Sequence, residues 1–273
     1  MSNKARRDNR VVNRARVVDL GDEVRTVEIM CAGDLHIGDK NRDPHHMRKI
    51  REWLDVSKDR YLILVGDLFN AALKTSVSNV YDDVISVDEA QRELTVWLSG
   101  IGDRLIASVS GNHDQRVQNA VGADILRMSH ELADVPYDGL EAFVTVKLGA
   151  YGYKAKANKS PVCYQLYVTH GVGGGRLAGG KVNNLMRLRD IVVADVYVQG
   201  HQHDPVCKPA VVWEWDSRKE SIVQREQLLV VAPSNMNRGG YAVAKAYSPV
   251  SQQIPIITLD GKDKHIGFRW ETL

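Results

Sequence analysis

Val27-Glu28-Ile29-Met30-Cys31-Ala32-Gly33-Asp34-Leu35-His36-Ile37-Gly38 passes from an apolar run straight into an acid and an imidazole flanked by glycines. The first six residues are too few for a helix and rich in side chains that suit a pleated surface, so they read as a strand buried on both faces. The same succession recurs along the chain. Residues 61–65 lead into Gly66-Asp67-Leu68-Phe69-Asn70, residues 105–109 into Gly111-Asn112-His113-Asp114, residues 165–169 into His170-Gly171, and Val196–Gln199 into Gly200-His201-Gln202-His203. In open α/β sheets a ligand site lies beyond the carboxyl ends of the strands, so these clusters are expected to converge on one crevice.

Between the strands lie segments with helical spacing. Met47, Ile50 and Leu54 follow Pro44; Leu94, Trp97, Leu98 and Ile101 precede a glycine; Ile125, Leu126 and Leu132 mark a third helix, and Leu185, Leu188 and Val192 a fourth. Strands alternating with helices predict a layered α/β domain. In the last seventy or so residues, 211–215 and 221–231 flank a polar turn and read as a hairpin. Strand-like runs follow at 241–247 and 254–259, which predicts a second, more antiparallel sheet on the same core.

The chain has 273 residues, 44% hydrophobic and 26% charged, enough for one domain with a core and against disorder or a coiled coil. No apolar run is long enough to span a membrane and arginines occupy the place of a signal peptide, so a cytoplasmic protein with no membrane partner is expected. Three scattered cysteines without a CxxC argue against a disulfide scaffold or cysteine zinc site. The net charge of +2 is segregated: residues 1–16 sum to +5, and residues 142–189 hold eight Lys and Arg and no acid. Residues 1–22 read as a basic, flexible arm and 23–273 as a single domain. The acid-free stretch, with Tyr151, Tyr153, Tyr164 and Tyr167 among its lysines, has the composition of a surface that tracks phosphates and stacks bases, or else of a strand pair whose lysines face water.

The clustered residue types suit metal. In an extended segment residues two apart point the same way, so Asp34 with His36, and His201 with His203, can each offer two ligands in one direction. Two Asp, one Asn and four His form a mixed oxygen and nitrogen set suited to Mn, Fe, Co or Zn rather than calcium. Seven ligands exceed one tetrahedral zinc and suit two ions sharing a carboxylate.

At this point the chain resembles the calcineurin-like metallophosphoesterase superfamily, whose series DxH, GD, GNH, H and GHxH is present in order from Asp34 to His203. The resemblance implies a four-layer α/β/β/α sandwich of two mixed sheets with a binuclear centre. It implies that Asp34, His36 and His203 hold one ion, Asn112, His170 and His201 the other, and that Asp67 bridges them. His113 matches the non-ligand histidine that protonates the leaving oxygen or stabilises charge, and Asp114 either orients it or caps the next helix. The cofactor expected is a pair of Mn2+ ions, with Fe, Zn, Co, Ni or Mg as alternatives. The nucleophile would be a hydroxide held between them.

The spelling of the blocks is nearest to SbcD-type DNA-repair exonucleases and general phosphodiesterases, although Asn70 stands where the nuclease branch has Asp or His. The expected substrate is therefore a phosphodiester in DNA, RNA or a nucleotide, with Asn70 and Arg176 as substrate-binding residues. Gly175 to Lys181 spells a P-loop, but Val182 follows where a hydroxyl must bind magnesium, so nucleotide hydrolysis by that route is rejected. The alternatives are a phosphomonoesterase, or a nucleic-acid-binding module on the same fold without turnover.

Overall fold

The computed structural model describes residues 15–73, 80–151, 160–173, 177–239, 243, 248–249 and 251–273. Along the chain the elements are β1 (Arg16–Asp19), β2 (Thr26–Ala32), α1 (His46–Asp55), β3 (Arg60–Leu64), α2 (Val87–Ile101), β4 (Leu105–Ser108), α3 (Gln115–Val121) and α4 (Ile125–Ala133). They continue with β5 (Glu141–Tyr151), β6 (Ser160–Thr169), α5 (Ala178–Met186), β7 (Val196–Gln199), β8 (Val206–Asp216), β9 (Ser221–Val231), β10 (Ile254–Asp260) and β11 (Ile266–Glu271).

Two mixed sheets form, one in the order β11-β10-β2-β3-β4 and the other β1-β5-β6-β7-β9-β8. Strands β2, β3 and β4 run parallel, as do β6, β7 and β9. The period-two alternation of β2 explains its burial on both faces. Val27, Ile29 and Cys31 enter the core between the sheets with Val144, Val146, Tyr164 and Val198, while Met30 and Ala32 enter a second core under the helices. That second core takes Ile50 and Leu54 of α1, Leu94 and Leu98 of α2 and Leu126 of α4. A third, beneath α5, takes Leu185, Leu188, Tyr197 and Leu229. The layers are thus helix, sheet, sheet, helix, the expected four-layer α/β/β/α arrangement. Helix α2 begins on a capping box of Ser86 with Glu89 and ends at Gly102, the predicted glycine stop, with a φ of 60°.

Several expectations change. The last seventy residues do not make a sheet of their own: β8 and β9 join β7, while β10 and β11 extend the sheet of β2. Leu228 and Val230 on one pair, and Ile257 and Leu259 on the other, enter the same central core from opposite sides. Leu132 is 71% exposed because Ser129, His130 and Ala133 take the buried face of α4. Strands β1 and β11 add to those expected, and β5 pairs with β6 as the strand-pair reading of the acid-free stretch has it. Arg16–Asp19 falls within the stretch read as a flexible arm, yet β1 pairs in parallel with β5, and Arg16 Nε and Nη2 reach the Asp138 carboxylate at 3.0 and 2.9 Å. Residues 1–14 of the arm, most of the run 241–247, and Tyr153 lie outside the described residues. Among the described residues no helix is long and apolar enough to cross a membrane.

The stacking surface expected from the tyrosines does not form at the two whose side chains are described. Tyr164 is fully buried with its hydroxyl 2.7 Å from Asp260 O, and Tyr167 is buried with its hydroxyl donating to Glu141 Oε2 at 2.7 Å. Tyr164 enters the core between the sheets, and Tyr167, on the opposite face of β6, enters the core beneath α5, roles that composition alone does not reveal.

Candidate metal centre

The five polar clusters all follow the carboxyl ends of β2, β3, β4, β6 and β7, and they meet at one rim of the sandwich. Asp34, His36 and His203 place one candidate ligand atom each within 4.8 Å of one another, and so do Asp67, His170 and His201. A third group of the same kind, His36, Asp67 and His113, links the two. Asn112 completes the second set. His170 Nε2 lies 3.2 Å from Asp67 Oδ2, from Asn112 Oδ1 and from His201 Nδ1 alike.

The backbone reaches this arrangement by a route the sequence does not suggest. Asp34, His36, Asp67, His201 and His203 are not extended: they have φ values of 47°, 45°, 50°, 66° and 56°. The side chains of Asp34 and His36 converge through successive left-handed turns rather than strand alternation. Each such residue costs about 1–2 kcal/mol relative to ordinary backbone, and strain of this kind gathers where a site is over-determined by its surroundings. Glycine permits the close approach of neighbouring turns. A Cβ on Gly111 would collide with Asp67 Oδ1 and its backbone nitrogen, and one on Gly200 would sit 2.9 Å from Asp34 Oδ2.

Hydrogen bonds fix which atoms face the centre. His170 Nδ1 lies 2.7 Å from Val65 O, which makes Nδ1 the donor and leaves Nε2 as the nitrogen that faces the centre. Backbone donors of His201 and His113 reach Asp34 Oδ2 at 3.1 Å and Asp67 Oδ1 at 2.7 Å, leaving the other oxygen of each carboxylate turned inward.

The electrostatics have the same cause throughout, burial opposed by partners. Burial pushes the His36 imidazole down to about 3, so it is neutral. Burial also acts on His170, but the hydrogen bond and charge of Asp67 overcome it and raise His170 to about 9. Against the same burial, His170 holds Asp67 far below the carboxylate range, and His203 holds Asp34 low.

The donors fit divalent cations. Asp34 Oδ1 and both ring nitrogens of His36 are buried without a hydrogen bond, although the two side chains are almost inaccessible. Leaving a buried polar atom unmatched costs about 1–3 kcal/mol each, and here the unmatched atoms belong to side chains whose lone pairs are metal ligands. His203 Nε2, 3.2 Å from Asp34 Oδ1, completes that set.

No protein-family model and no curated protein matches the chain. Among solved structures it is similar to the calcineurin-like phosphoesterase YfkN from Bacillus subtilis, at 10% identity over 90% of this chain and 91% of that one, with a TM-score of 0.40. It is also similar to GAP50, the anchor in the inner membrane complex of Plasmodium, at 11% identity over 90% and 84% with a TM-score of 0.49. The nuclease MPE of Pseudomonas putida matches at 11% over 87% and 85%, with a TM-score of 0.36. At these identities the structural likeness is one of fold, and the chemistry has to be argued from this chain's own side chains.

Two expected roles are corrected. Asp114 neither orients His113 nor caps α3: its carboxylate accepts Phe69 N at 2.9 Å and Gly111 N at 2.8 Å, bracing one ligand loop against the next. Burial, then the neighbouring Asp67 charge, raises it to about 7. Asn70 is 2% exposed, with its amide spent between His113 Nδ1 at 3.0 Å and Asp83, so it steadies the His113 ring instead of facing a substrate. Arg176 lies outside the described residues. Sequence reasoning also missed Arg116, which lies 2.9 Å from His113 Nε2; its signal was its place one helical turn after that histidine.

Proposed function

We propose that the protein is a metal-dependent phosphoesterase, and more narrowly a phosphodiesterase acting on a nucleic acid or a nucleotide. One observation carries the reading: Asp34 and His36 present buried, unmatched ligand atoms beside His203, and Asp67 joins that group to His170 and His201. In this reading Asp34, His36 and His203 hold one divalent ion, Asn112, His170 and His201 hold a second, and Asp67 bridges. Two such ions, Mn2+ in the first instance, supply when bound a water acidified toward neutral pH and a clamp on the phosphoryl oxygens.

The chain's own groups do the rest. Asn112 is exposed and His201 and His203 are half-covered, while Asp34, His36, Asp67 and His170 are buried, so substrate enters on the side of Asn112. His113 has its Nδ1 held by Asn70 O and Oδ1, at 3.1 and 3.0 Å, and its Nε2 4.0 Å from Asp67 Oδ2. Nε2 is therefore the atom that would face the leaving oxygen, and it must first take up a proton from solvent before it can hand one over or steady that charge. The diester reading is supported by the motif spelling and by the acid-free basic stretch, of which Lys181 is already paired with Asp204 at 3.1 Å.

The test compares bis- and mono-p-nitrophenyl phosphate hydrolysis with added Mn2+, alongside single-stranded DNA, duplex DNA, RNA and cyclic nucleotides. Preference for the diester and turnover of one nucleic-acid or nucleotide substrate is expected. Preference for the monoester would make it a phosphomonoesterase. Nucleic-acid binding without turnover under any metal would make it a binding module.

A further inference from the structure

Arg116 stands beside the site without a direct ion pair, although the charges of Asp67, Asp83 and Asp114 act on it from farther off. It lies at the start of α3, where Nη1 donates to Asn70 O at 2.8 Å and Nη2 lies 2.9 Å from His113 Nε2. Neither partner is a carboxylate. Several other part-buried arginines meet an acid: Arg16 with Asp138, Arg42 with Glu93, Arg60 and Arg269 with Glu28, Arg104 with Asp55, and Arg225 with Asp195. Among the described residues no carboxylate oxygen lies within 4.0 Å of an Arg116 nitrogen. A half-buried guanidinium with no carboxylate in contact gains a charge-assisted pair when an anion arrives.

The position says which anion. Arg116 shares His113 with the candidate ligand cluster, and His113 is next in the chain to exposed Asn112. Its partner nitrogen, His113 Nε2, is the atom assigned to the leaving oxygen. While Nη2 donates there, that lone pair is occupied. The Nη1 bond to Asn70 O provides a fixed anchor about which the rest of the planar fork can turn, and such a fork matches two oxygens of a phosphoryl group.

We propose that Arg116 binds a non-bridging oxygen of the substrate phosphoryl group, exchanging its bond to His113 Nε2 for that oxygen and so freeing the nitrogen to take up a proton from solvent and face the leaving group. The proposal rests on the phosphoesterase reading of the same centre. Apart from that proton, no covalent change is involved: one hydrogen bond from Nη2 is replaced by another.

The probe is inorganic phosphate, titrated calorimetrically into the full chain loaded with Mn2+, for wild type, Arg116→Gln, Arg116→Met and Arg116→Lys. Bound metal is counted in each, and thermal melting confirms folding. Metal content should be unchanged, phosphate affinity should fall about tenfold or more in the Gln and Met variants, as expected for a lost charge-assisted pair, and Lys should restore part of it. In parallel, KM for bis-p-nitrophenyl phosphate should rise more than kcat falls. If Arg116 only braced His113, kcat would fall while phosphate affinity stayed at the wild-type value. Unchanged affinity in either neutral variant overturns the proposal, as does a metal-loaded wild type that binds no phosphate. If the neutral variants lose phosphate while wild type hydrolyses no phosphoester, the Arg116 assignment stands and the phosphoesterase reading falls.

Discussion

Asp67 Oδ2 and His170 Nε2 lie 3.2 Å apart in the covered part of the cluster, where each holds the other charged. The pair brings together the loops after β3 and β6, one from each sheet, so the centre is a seam between the two halves of the sandwich. A cation placed there takes over the role of the proton on His170.

Metal uptake should therefore be proton-linked. His170 is raised to about 9, so at pH 7 to 8 it carries a proton that a cation must displace. Affinity for Mn2+ should rise with pH until about 9, and calorimetry in buffers of different ionisation enthalpy should detect proton release at pH 7.5. The sign is opposite for the metal-free fold. Because its pKa is raised on folding, His170 stabilises that form fully below its unfolded value of about 6.5, and the contribution fades as pH rises through 9. Melting temperatures should fall over that interval without metal and fall less with it; coincident curves would contradict the pairing.

Replacing the shared carboxylate should strike both ions. In Asp67→Asn, elemental analysis is expected to find less than half the wild-type metal. Turnover should drop by more than the about 10–100-fold typical of losing a supporting residue around a metal. Full metal content with full activity would remove Asp67 from the centre.

His113→Asn separates chemistry from binding. Metal content should stay near wild type while kcat falls about 100-fold or more, the scale of losing a general acid. A variant that instead loses metal would make His113 a ligand, as its grouping with His36 and Asp67 allows.

Gly111→Ala tests the crowding beneath the centre. The new methyl would collide with the carboxylate and backbone of Asp67, and backbone cannot step aside as a flexible chain end can. Lower metal occupancy and a lower melting temperature are expected together, whereas Gly179→Ala, where a Cβ meets nothing within 4 Å, should change neither.

Asp114→Ala should cost stability first. It leaves Phe69 N and Gly111 N unmatched in a buried place, about 1–3 kcal/mol for each. Urea unfolding should show a clear drop in midpoint. A midpoint equal to wild type would mean that these two loops are not held together by this carboxylate.

The alternation of apolar runs with clustered Asp, Asn and His was enough to set the layer type, to locate β2, β3, β4 and β7, and to bring forward the set that meets at the rim. Burial patterns are local and periodic, and the order of the five clusters survives folding because each is attached to a strand end. Other features depended on contacts distant in the chain. The alternation of β5 was present in Ala142, Val144, Val146 and Leu148, yet whether its tyrosine neighbours on β6 faced solvent or core was settled only by the opposing sheet for Tyr164 and by α5 for Tyr167. The left-handed turns at Asp34, His36 and Asp67 carry no mark in residue type, since Asp and His tolerate many conformations; the packing of Gly66 against Gly111 and of Gly33 against Val65 imposes them. The roles of Asn70, Asp114 and Arg116 likewise follow from what lies across from them. Polar side chains can bond in any direction, so their partners are chosen by the tertiary fold.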